Sequence, residues 1–189
     1  MTLKNTLRFI AILICLPALA QEASPSEKFW NTLQSHCGKA YEGSLVLPEE
    51  DEAFGGKKLV MHVRACDATE IKIPFYVGDD KSRTWVLTMN EGILTLKHDH
   101  RHEAGTEDDV NHYAATASNA GNPEIQFFPA DVHTQEMIPG AATNVWWITL
   151  DESTFTYNLK RLGTDRIFKV TMDLTKPIAT PDAPWGWEE

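Results

Sequence analysis

Three histidines, His98, His100 and His102, stand at alternate positions directly after the apolar residues Leu94 and Leu96. Alternate residues of a β-strand point to the same face of the sheet. Because Leu94 and Leu96 are expected to face the core, the same register turns the three imidazoles inward. A group of inward imidazoles can bind a metal ion, coordinate haem or transfer protons.

A metal site is the most specific chemistry that these histidines offer. Same-face neighbours on a strand lie about 6.6 to 6.8 Å apart at Cα, so His100 can converge on one ion with either His98 or His102, whereas all three need a β-bulge. Zinc or another divalent transition metal would then take a further ligand from elsewhere in the chain. The candidates for this ligand are His62, His112, Glu103 and Glu107.

A metal-dependent hydrolase would use Glu103 or Glu107 as its base. The alternative is a hydrated strand end without chemistry, which the polar segment 103–109 favours. The chain contains no Gly-rich phosphate loop, no Ser-His-Asp order and no Gly-x-Ser-x-Gly motif. The histidines are therefore the main candidates for a functional site.

Four further polar residues, His112, Tyr113, Tyr157 and Arg161, could line a polar pocket for an organic ligand, and His112, Tyr157 and Arg161 are the predicted ligand-binding residues among them. Tyr157 stands between Phe155 and Leu159 on the apolar face of the most clearly alternating segment of the chain. An inward tyrosine can also be a core residue whose hydroxyl bonds to a neighbour.

One segment near the beginning of the chain predicts a helix. Ser24 suits the N-cap, Pro25 the first helical position and Glu27 a capping box, while Gly38 is suited to end the helix. The stripe between them is apolar and consists of Phe29, Trp30, Leu33 and Cys37. We expect this short helix to cover one part of a hydrophobic core.

From Lys39 onward the hydrophobic pattern has a period of two, which predicts β-strands. The predicted strands are 39–47, 57–67, 69–77, 83–90, 92–102, 112–117, 124–128, 132–138, 144–151, 153–161 and 165–174. Their connections are mostly short and turn-like, so neighbouring strands are expected to be antiparallel. Closure of such a meander removes exposed strand edges. The predicted fold is therefore mainly β, an antiparallel up-and-down β-barrel of eight to ten strands with one short N-terminal helix.

The leading helix, a first strand that opens at Gly38-Lys39-Ala40-Tyr41-Glu42-Gly43, and a late strand that ends in Lys160-Arg161 resemble the lipocalin and wider calycin superfamily. The resemblance is architectural, covers about residues 25–175, and extends to secreted bacterial proteins that have no assigned activity. Lipocalins usually carry Gly-x-Trp on the first strand, packed by an arginine of the last strand. Here Tyr41 takes the aromatic position and Arg161 is the candidate arginine. The resemblance implies a barrel that holds a ligand.

The first twenty residues have the pattern of a secretory signal peptide. Lys4 and Arg8 precede the apolar run 9–16, and Ala18-Leu19-Ala20 supplies the small residues of a cleavage site. Release after residue 20 predicts a periplasmic or secreted protein without a membrane span. The alternative, an uncleaved anchor, would need a run of about 20 apolar residues.

The predicted mature chain, residues 21–189, suits one domain at 21–175 followed by a Pro/Trp-rich tail at 176–189. Without Lys4 and Arg8, the 17 basic residues become 15 against 27 acidic ones, which is a formal net charge of −12. This charge argues against nucleic acid and anionic membrane surfaces as partners. The oligomeric state does not follow from the pattern.

Signal cleavage also removes Cys15 and leaves Cys37 and Cys66. An even number of cysteines in an exported protein predicts a disulfide between them. The alternative is a pair of buried thiols.

Two functions follow from these observations. We favour a non-enzymatic binding protein that holds a small apolar or amphipathic molecule, a metal ion or haem inside the barrel with its inward histidines. The alternative is the metal-dependent hydrolase described above.

Overall fold

The computed structural model describes residues 22–188. The predicted signal peptide, residues 1–20, lies outside them. In the described part of the chain, the helices and strands follow one another as α1 (Pro25–Gln34), β1 (Ala40–Leu47), β2 (Leu59–His62), β3 (Ala65–Cys66), β4 (Glu70–Val77), β5 (Asp80–Asn90), β6 (Ile93–His100), β7 (Tyr113–Thr116), β8 (Ile125–Pro129), α2 (Val132–Met137), a short 3-10 helix (Pro139–Ala141), β9 (Asn144–Leu150), β10 (Thr154–Arg161) and β11 (Ile167–Ile178). No helix among these residues is long and apolar enough to cross a membrane.

The strands form one antiparallel sheet in the order β7-β6-β5-β4-β2-β1-β11-β10-β9-β8, with β3 paired to β4 beside this path. Pairing of β1 with β11 joins the first strand to the last, so the sheet curls into a nearly closed barrel. The core is the barrel interior, where alternate apolar residues of every long strand meet. The prediction of a mainly β, antiparallel barrel with one short N-terminal helix is confirmed.

Helix α1 plugs one end of this barrel. Both hydrogen bonds of the predicted capping box at Ser24 and Glu27 are formed. Phe29, Trp30 and Leu33 of the predicted stripe are buried in the core, whereas Cys37 lies beyond the helix and is exposed. The Ser26 hydroxyl donates to the carbonyl of Gly92 in the turn between β5 and β6.

The predicted end of the helix at Gly38 is wrong, because α1 ends at Gln34 with Ser35 as its C-cap. The N-terminal cap and the apolar stripe therefore agree on where the helix begins and which face it buries.

A disulfide anchors the end of this helical segment to the sheet. Cys37 is bonded to Cys66 of β3, with their Cα atoms 6.2 Å apart. The predicted pairing is confirmed. The bond joins two positions that are 29 residues apart in sequence.

The gap between the edge strands β7 and β8 is crossed by α2. The backbone N–H of Ala114 in β7 donates to Thr134 Oγ1 at 2.9 Å, and this hydroxyl donates to the Ala114 carbonyl at 2.8 Å. Thr134 lies in α2 and is fully buried. One side chain thus replaces part of a strand ladder at the place where the barrel is not closed by strand pairing.

The predicted strand at 132–138 is wrong, because 132–137 is the helix α2. Asp131 is its N-cap, and its carboxylate accepts the backbone N–H of Thr134 at 2.7 Å. The same carboxylate binds the ammonium of Lys97 at 2.7 Å. These two contacts favour the start of a helix over an extended backbone at this position.

Among the other strands, two predicted ranges differ most from the observed ones. The predicted strand 57–67 is interrupted after His62, and β3 begins at Ala65. At the other end of the chain, β11 continues into the predicted tail and pairs Ile178 with Ala40. The rest of the tail lies against the barrel, where the Tyr76 hydroxyl donates to the carbonyl of Asp182 at 2.9 Å.

Candidate functional site

The end of the barrel opposite α1 contains a cavity of about 280 Å³. It lies where β6 and β10 end and where β5, β7, β9 and β11 begin. Its rim reaches solvent, because Val110 and Arg166 line the cavity and are exposed. One end of the barrel is thus closed by a helix and the other holds an accessible pocket.

Seven aromatic side chains line the cavity. They are Phe54, Phe75, Trp85, Tyr113, Trp146, Tyr157 and Phe168. The Trp85 ring stacks on Phe75 at 4.7 Å and on Tyr157 at 4.4 Å between ring centroids, with interplanar angles of 16° and 18°. These three nearly parallel rings come from β4, β5 and β10 and make a continuous aromatic wall.

His98 is buried in this wall, and both of its ring nitrogens are hydrogen-bonded. Nδ1 lies 3.0 Å from the carbonyl oxygen of Tyr113. Since a carbonyl only accepts, Nδ1 carries the proton, and Nε2 accepts the Tyr157 hydroxyl at 2.6 Å. Burial lowers the pKa of His98 from 6.5 to about 3. His98 is therefore a neutral imidazole of fixed orientation.

His100 and Tyr113 form a second polar pair beside His98. Nε2 of His100 lies 3.1 Å from the Tyr113 hydroxyl oxygen, and the Tyr113 ring stacks on His98 at 4.5 Å. Burial raises the pKa of Tyr113 to about 12, so its hydroxyl keeps its proton. Burial, together with the charge of Arg83, lowers the pKa of His100. The site thus presents neutral hydroxyl and imidazole groups at neutral pH.

Three arginines, Arg83, Arg161 and Arg166, complete the lining. Arg83 Nη1 binds Asp80 Oδ2 at 2.5 Å. Arg161 donates from Nε to Asn144 Oδ1 at 2.9 Å. The residues described along the cavity include no Asp or Glu, so the charged groups of its lining are cationic.

Four of the predicted site residues, His98, His100, Tyr157 and Arg161, meet in this cavity together with Tyr113, which the sequence also suggested for a polar pocket. His102 does not join them. Strand β6 ends at His100, and His102 is exposed in the following turn, where its N–H donates to the Thr106 carbonyl at 2.9 Å. The expectation that all three histidines point inward is wrong for His102, because the strand period no longer applies after the strand ends.

His112, Glu103 and Glu107 also lie outside the cavity lining, and all three are exposed. Glu107 forms ion pairs with Arg101 at 3.1 Å and with His112 at 3.7 Å. The predicted ligand residue His112 and the predicted bases are therefore on the surface. Between residues 22 and 188, no group of three or more His, Cys, Asp or Glu side chains is arranged to hold a metal ion. Binding of zinc or haem remains a prediction.

The expected packing of Arg161 against Tyr41 is not formed. Tyr41 lies near the start of β1 at the α1 end of the barrel, and its hydroxyl is 2.6 Å from His36 Nδ1. Arg161 lies in the cavity at the opposite end. The two residues cannot form the aromatic–arginine contact that lipocalins usually carry.

Sequence reasoning did not select Arg83, Trp85, Asn144, Trp146 or Arg166 as site residues. Only Arg166 carried a usable local signal. It precedes β11 at the far side of the turn from Arg161, so the hairpin alone brings the two arginines together. The others come from strands whose order around the barrel is not encoded in local spacing.

Comparison of the chain with protein-family models, curated proteins and solved structures finds no match.

Proposed function

We propose that this protein binds a small organic molecule in the open end of its barrel and does so without catalysis. The observation that carries the proposal is the cavity of about 280 Å³ lined by seven aromatic side chains. Binding sites for small molecules are typically concave and mostly apolar, with a few polar groups that fix orientation. A cavity in the mouth of a closed barrel is a common position for such a site.

The polar groups of the cavity support binding more than hydrolysis. His98 uses one ring nitrogen for Tyr157 and the other for the Tyr113 carbonyl, so it has no free nitrogen for accepting a substrate proton. Both glutamates considered as bases are exposed outside the cavity. The arrangement suits a rigid wall that orients a ligand.

The barrel architecture is consistent with a lipocalin-like protein. We propose a distant relation to that superfamily, supported by the antiparallel meander and the helix at one end. We also propose a periplasmic or extracellular location. It is supported by the Cys37–Cys66 bond, because disulfides persist in oxidising compartments.

A titration with the neutral fluorescent probe N-phenyl-1-naphthylamine tests the binding function. We expect saturable one-site binding with enhanced probe emission in an apolar site. Val110→Trp should weaken it, because Val110 lies exposed on the cavity rim and a larger side chain there narrows the entrance. The matched control is Val132→Trp, since Val132 is also exposed but lies outside the lining.

The binding function would be overturned if the probe showed no saturable binding, or if both tryptophan variants bound it as wild type does. Native mass spectrometry of protein purified without denaturation gives a second readout. We expect a bound organic mass that disappears in Val110→Trp and remains in Val132→Trp.

Zinc and haem are the alternative ligands that the histidines suggest. His100 is the better candidate to hold either one, because both nitrogens of His98 are already bonded. Titration of zinc and of haem into wild type and His100→Ala tests this alternative. Tight binding that His100→Ala removes would favour this alternative. Identical titration curves for the two proteins would exclude it.

A further inference from the structure

We infer that the ligand of this cavity is a planar aromatic anion whose charged group binds between Arg161 and Arg166. The inference rests on the proposed binding function and specifies the chemical class of the ligand. Three observations support it. They are the position of the two arginines, their lack of carboxylate partners, and the aromatic lining of a small cavity.

The hairpin between β10 and β11 holds the two arginines side by side. Lys160 pairs with Ile167, and in the next step the backbone N–H of Arg161 donates to the carbonyl of Arg166 at 3.1 Å. Directly opposed residues of an antiparallel pair place their side chains on the same face, with Cβ atoms about 4.5 to 5.5 Å apart. Both side chains line the cavity.

Two like charges directly opposite each other destabilise a hairpin unless a counter-charge compensates them. In the part of the chain that the structure describes, the ion pairs include neither Arg161 nor Arg166. Arg83, by contrast, has a carboxylate partner in Asp80. Arg161 and Arg166 therefore lack a neutralising carboxylate, whereas Arg83 has one.

Asn144 orients one of these two guanidinium groups. It is buried, and its side-chain oxygen accepts the Nε–H of Arg161 at 2.9 Å. The two terminal nitrogens of Arg161 remain available for a planar anion, which a guanidinium binds with two parallel hydrogen bonds. The Arg166 side chain is exposed at the rim, where it can close over the same anion.

The positive charge of the cavity lining contrasts with the negative charge of the whole chain. The predicted mature protein has a net charge of −12, yet the described lining contains three arginines and no acid. Arg83 and Arg166 also lie close enough to Tyr113 to oppose the burial that raises its pKa. An anion that enters the cavity thus meets two arginines, Arg161 and Arg166, that have no carboxylate partner among the described residues.

The shape of the apolar part of the ligand is inferred from the aromatic lining of the cavity. Phe75, Trp85 and Tyr157 are stacked face to face, so these rings cover one another's faces and mainly their edges can point into the cavity. The volume of about 280 Å³ is small for a ligand site. Ring edges pack well against the face of another aromatic ring, so a small cavity with this lining favours a compact planar ring system over a long flexible chain.

Calorimetric titration of four naphthalene derivatives tests the inference at low ionic strength. The probes are 2-naphthoate, 2-naphthyl phosphate, the neutral 2-naphthamide and the cation 2-naphthylmethylammonium. We expect both anions to bind about tenfold or more tightly than the amide, as one charge-assisted hydrogen bond to an arginine would produce. The cation should bind more weakly than the amide. The stronger of the two anions identifies a carboxylate or a phosphate as the preferred group.

Arg161→Gln and Arg166→Gln should each remove most of the preference for the anions, measured as the ratio of their affinities to that of the amide in the same variant. The matched control is Arg64→Gln, which changes the net charge equally at a position outside the cavity lining. We expect it to leave all four affinities as in wild type. Added salt should weaken binding of the anions but not of the amide.

The possible failures are distinguishable. Equal affinity of wild type for the amide and the anions, or the same loss in Arg64→Gln as in the cavity variants, would overturn the anionic ligand and leave the binding function intact. Absence of binding for all four probes, together with absence of binding for N-phenyl-1-naphthylamine, would overturn both.

Discussion

The hydroxyl of Tyr157 lies 2.6 Å from Nε2 of His98 and joins β10 to β6 across the interior of the barrel. The two residues are 59 positions apart in sequence, and both are buried. Because the other nitrogen of His98 donates to a backbone carbonyl, this hydroxyl is the partner that satisfies Nε2. The contact holds the aromatic wall and the histidine strand in one orientation.

Tyr157→Phe should destabilise the protein by about 1 to 3 kcal/mol, because it leaves a buried acceptor on His98 without a donor. Urea unfolding of the two proteins measures the difference. In a His98→Leu background the same substitution should cost much less, since no acceptor remains. Equal costs in the two backgrounds would show that the hydrogen bond does not contribute.

The stability of the protein should rise with pH between about pH 3 and pH 6.5. In this range the folded protein keeps His98 neutral, while an unfolded chain with the ordinary pKa of 6.5 takes up a proton. The unfolded state then binds more protons, so the free energy of unfolding increases with pH and this contribution becomes constant above 6.5. One such group contributes up to about 1.4 kcal/mol per pH unit.

Urea unfolding at several pH values in this range, for wild type and His98→Gln, measures that contribution. His36, His62 and His100 also have lowered pKa values, but they are present in both proteins. We therefore expect a smaller slope in the variant. Identical slopes would mean that His98 takes up its proton in the folded protein as readily as in the unfolded chain.

Loss of the disulfide should lower the free energy of unfolding by about 3 to 4 kcal/mol, because a loop of about 30 residues gains chain entropy in the unfolded state. The variant is Cys37→Ser with Cys66→Ser, compared by urea unfolding with oxidised wild type. A reductant should lower the stability of wild type and leave that of the double variant unchanged. Alkylation of both cysteines in unreduced wild type would contradict the bond.

Thr134→Val should weaken the contact of α2 with β7, which bridges the gap between β7 and β8. The substitution keeps the shape of the side chain and removes a hydroxyl that bonds both the N–H and the carbonyl of Ala114. We expect a loss of about 1 to 3 kcal/mol and faster hydrogen exchange at the Ala114 amide. The control is Thr116→Val, an exposed residue of β7 whose hydroxyl bonds Thr95, and it should change stability by less than about 0.5 kcal/mol. Equal effects of the two substitutions would contradict a special role of Thr134.

Much of the fold was predictable because its signals are local. The N-terminal cap of α1, the period of two in the long strands and the short turns between them each depend on residues a few positions apart, and all three are realised. The disulfide followed from a count of cysteines and the predicted compartment. Local signals failed at 132–137, where a helix of six residues depends on its cap at Asp131 and on the contact of Asp131 with Lys97, a residue of another strand.

The candidate site was predictable only in part, for the same reason. The strand period correctly turned His98 and Tyr157 inward, because the pairing of β6 with β5 and of β10 with its neighbours has no register shift. It could not show that β6 ends at His100, which leaves His102 in the solvent. Nor could it bring Arg83 and Trp85 of β5 to the cavity, because that depends on how the strands are ordered around the barrel.

The sequence by itself determined which faces are apolar, where the first helix begins and which two cysteines are available. The tertiary structure alone decided that a histidine of β6 meets a tyrosine of β10. It also decided that the aromatic wall lies next to Arg161 and Arg166, which have no carboxylate partner among the described residues. The physical reason is that periodicity and capping act between neighbours along the chain. A cavity is formed instead by strands brought together through long-range pairing, whose geometry follows from closure of the whole sheet.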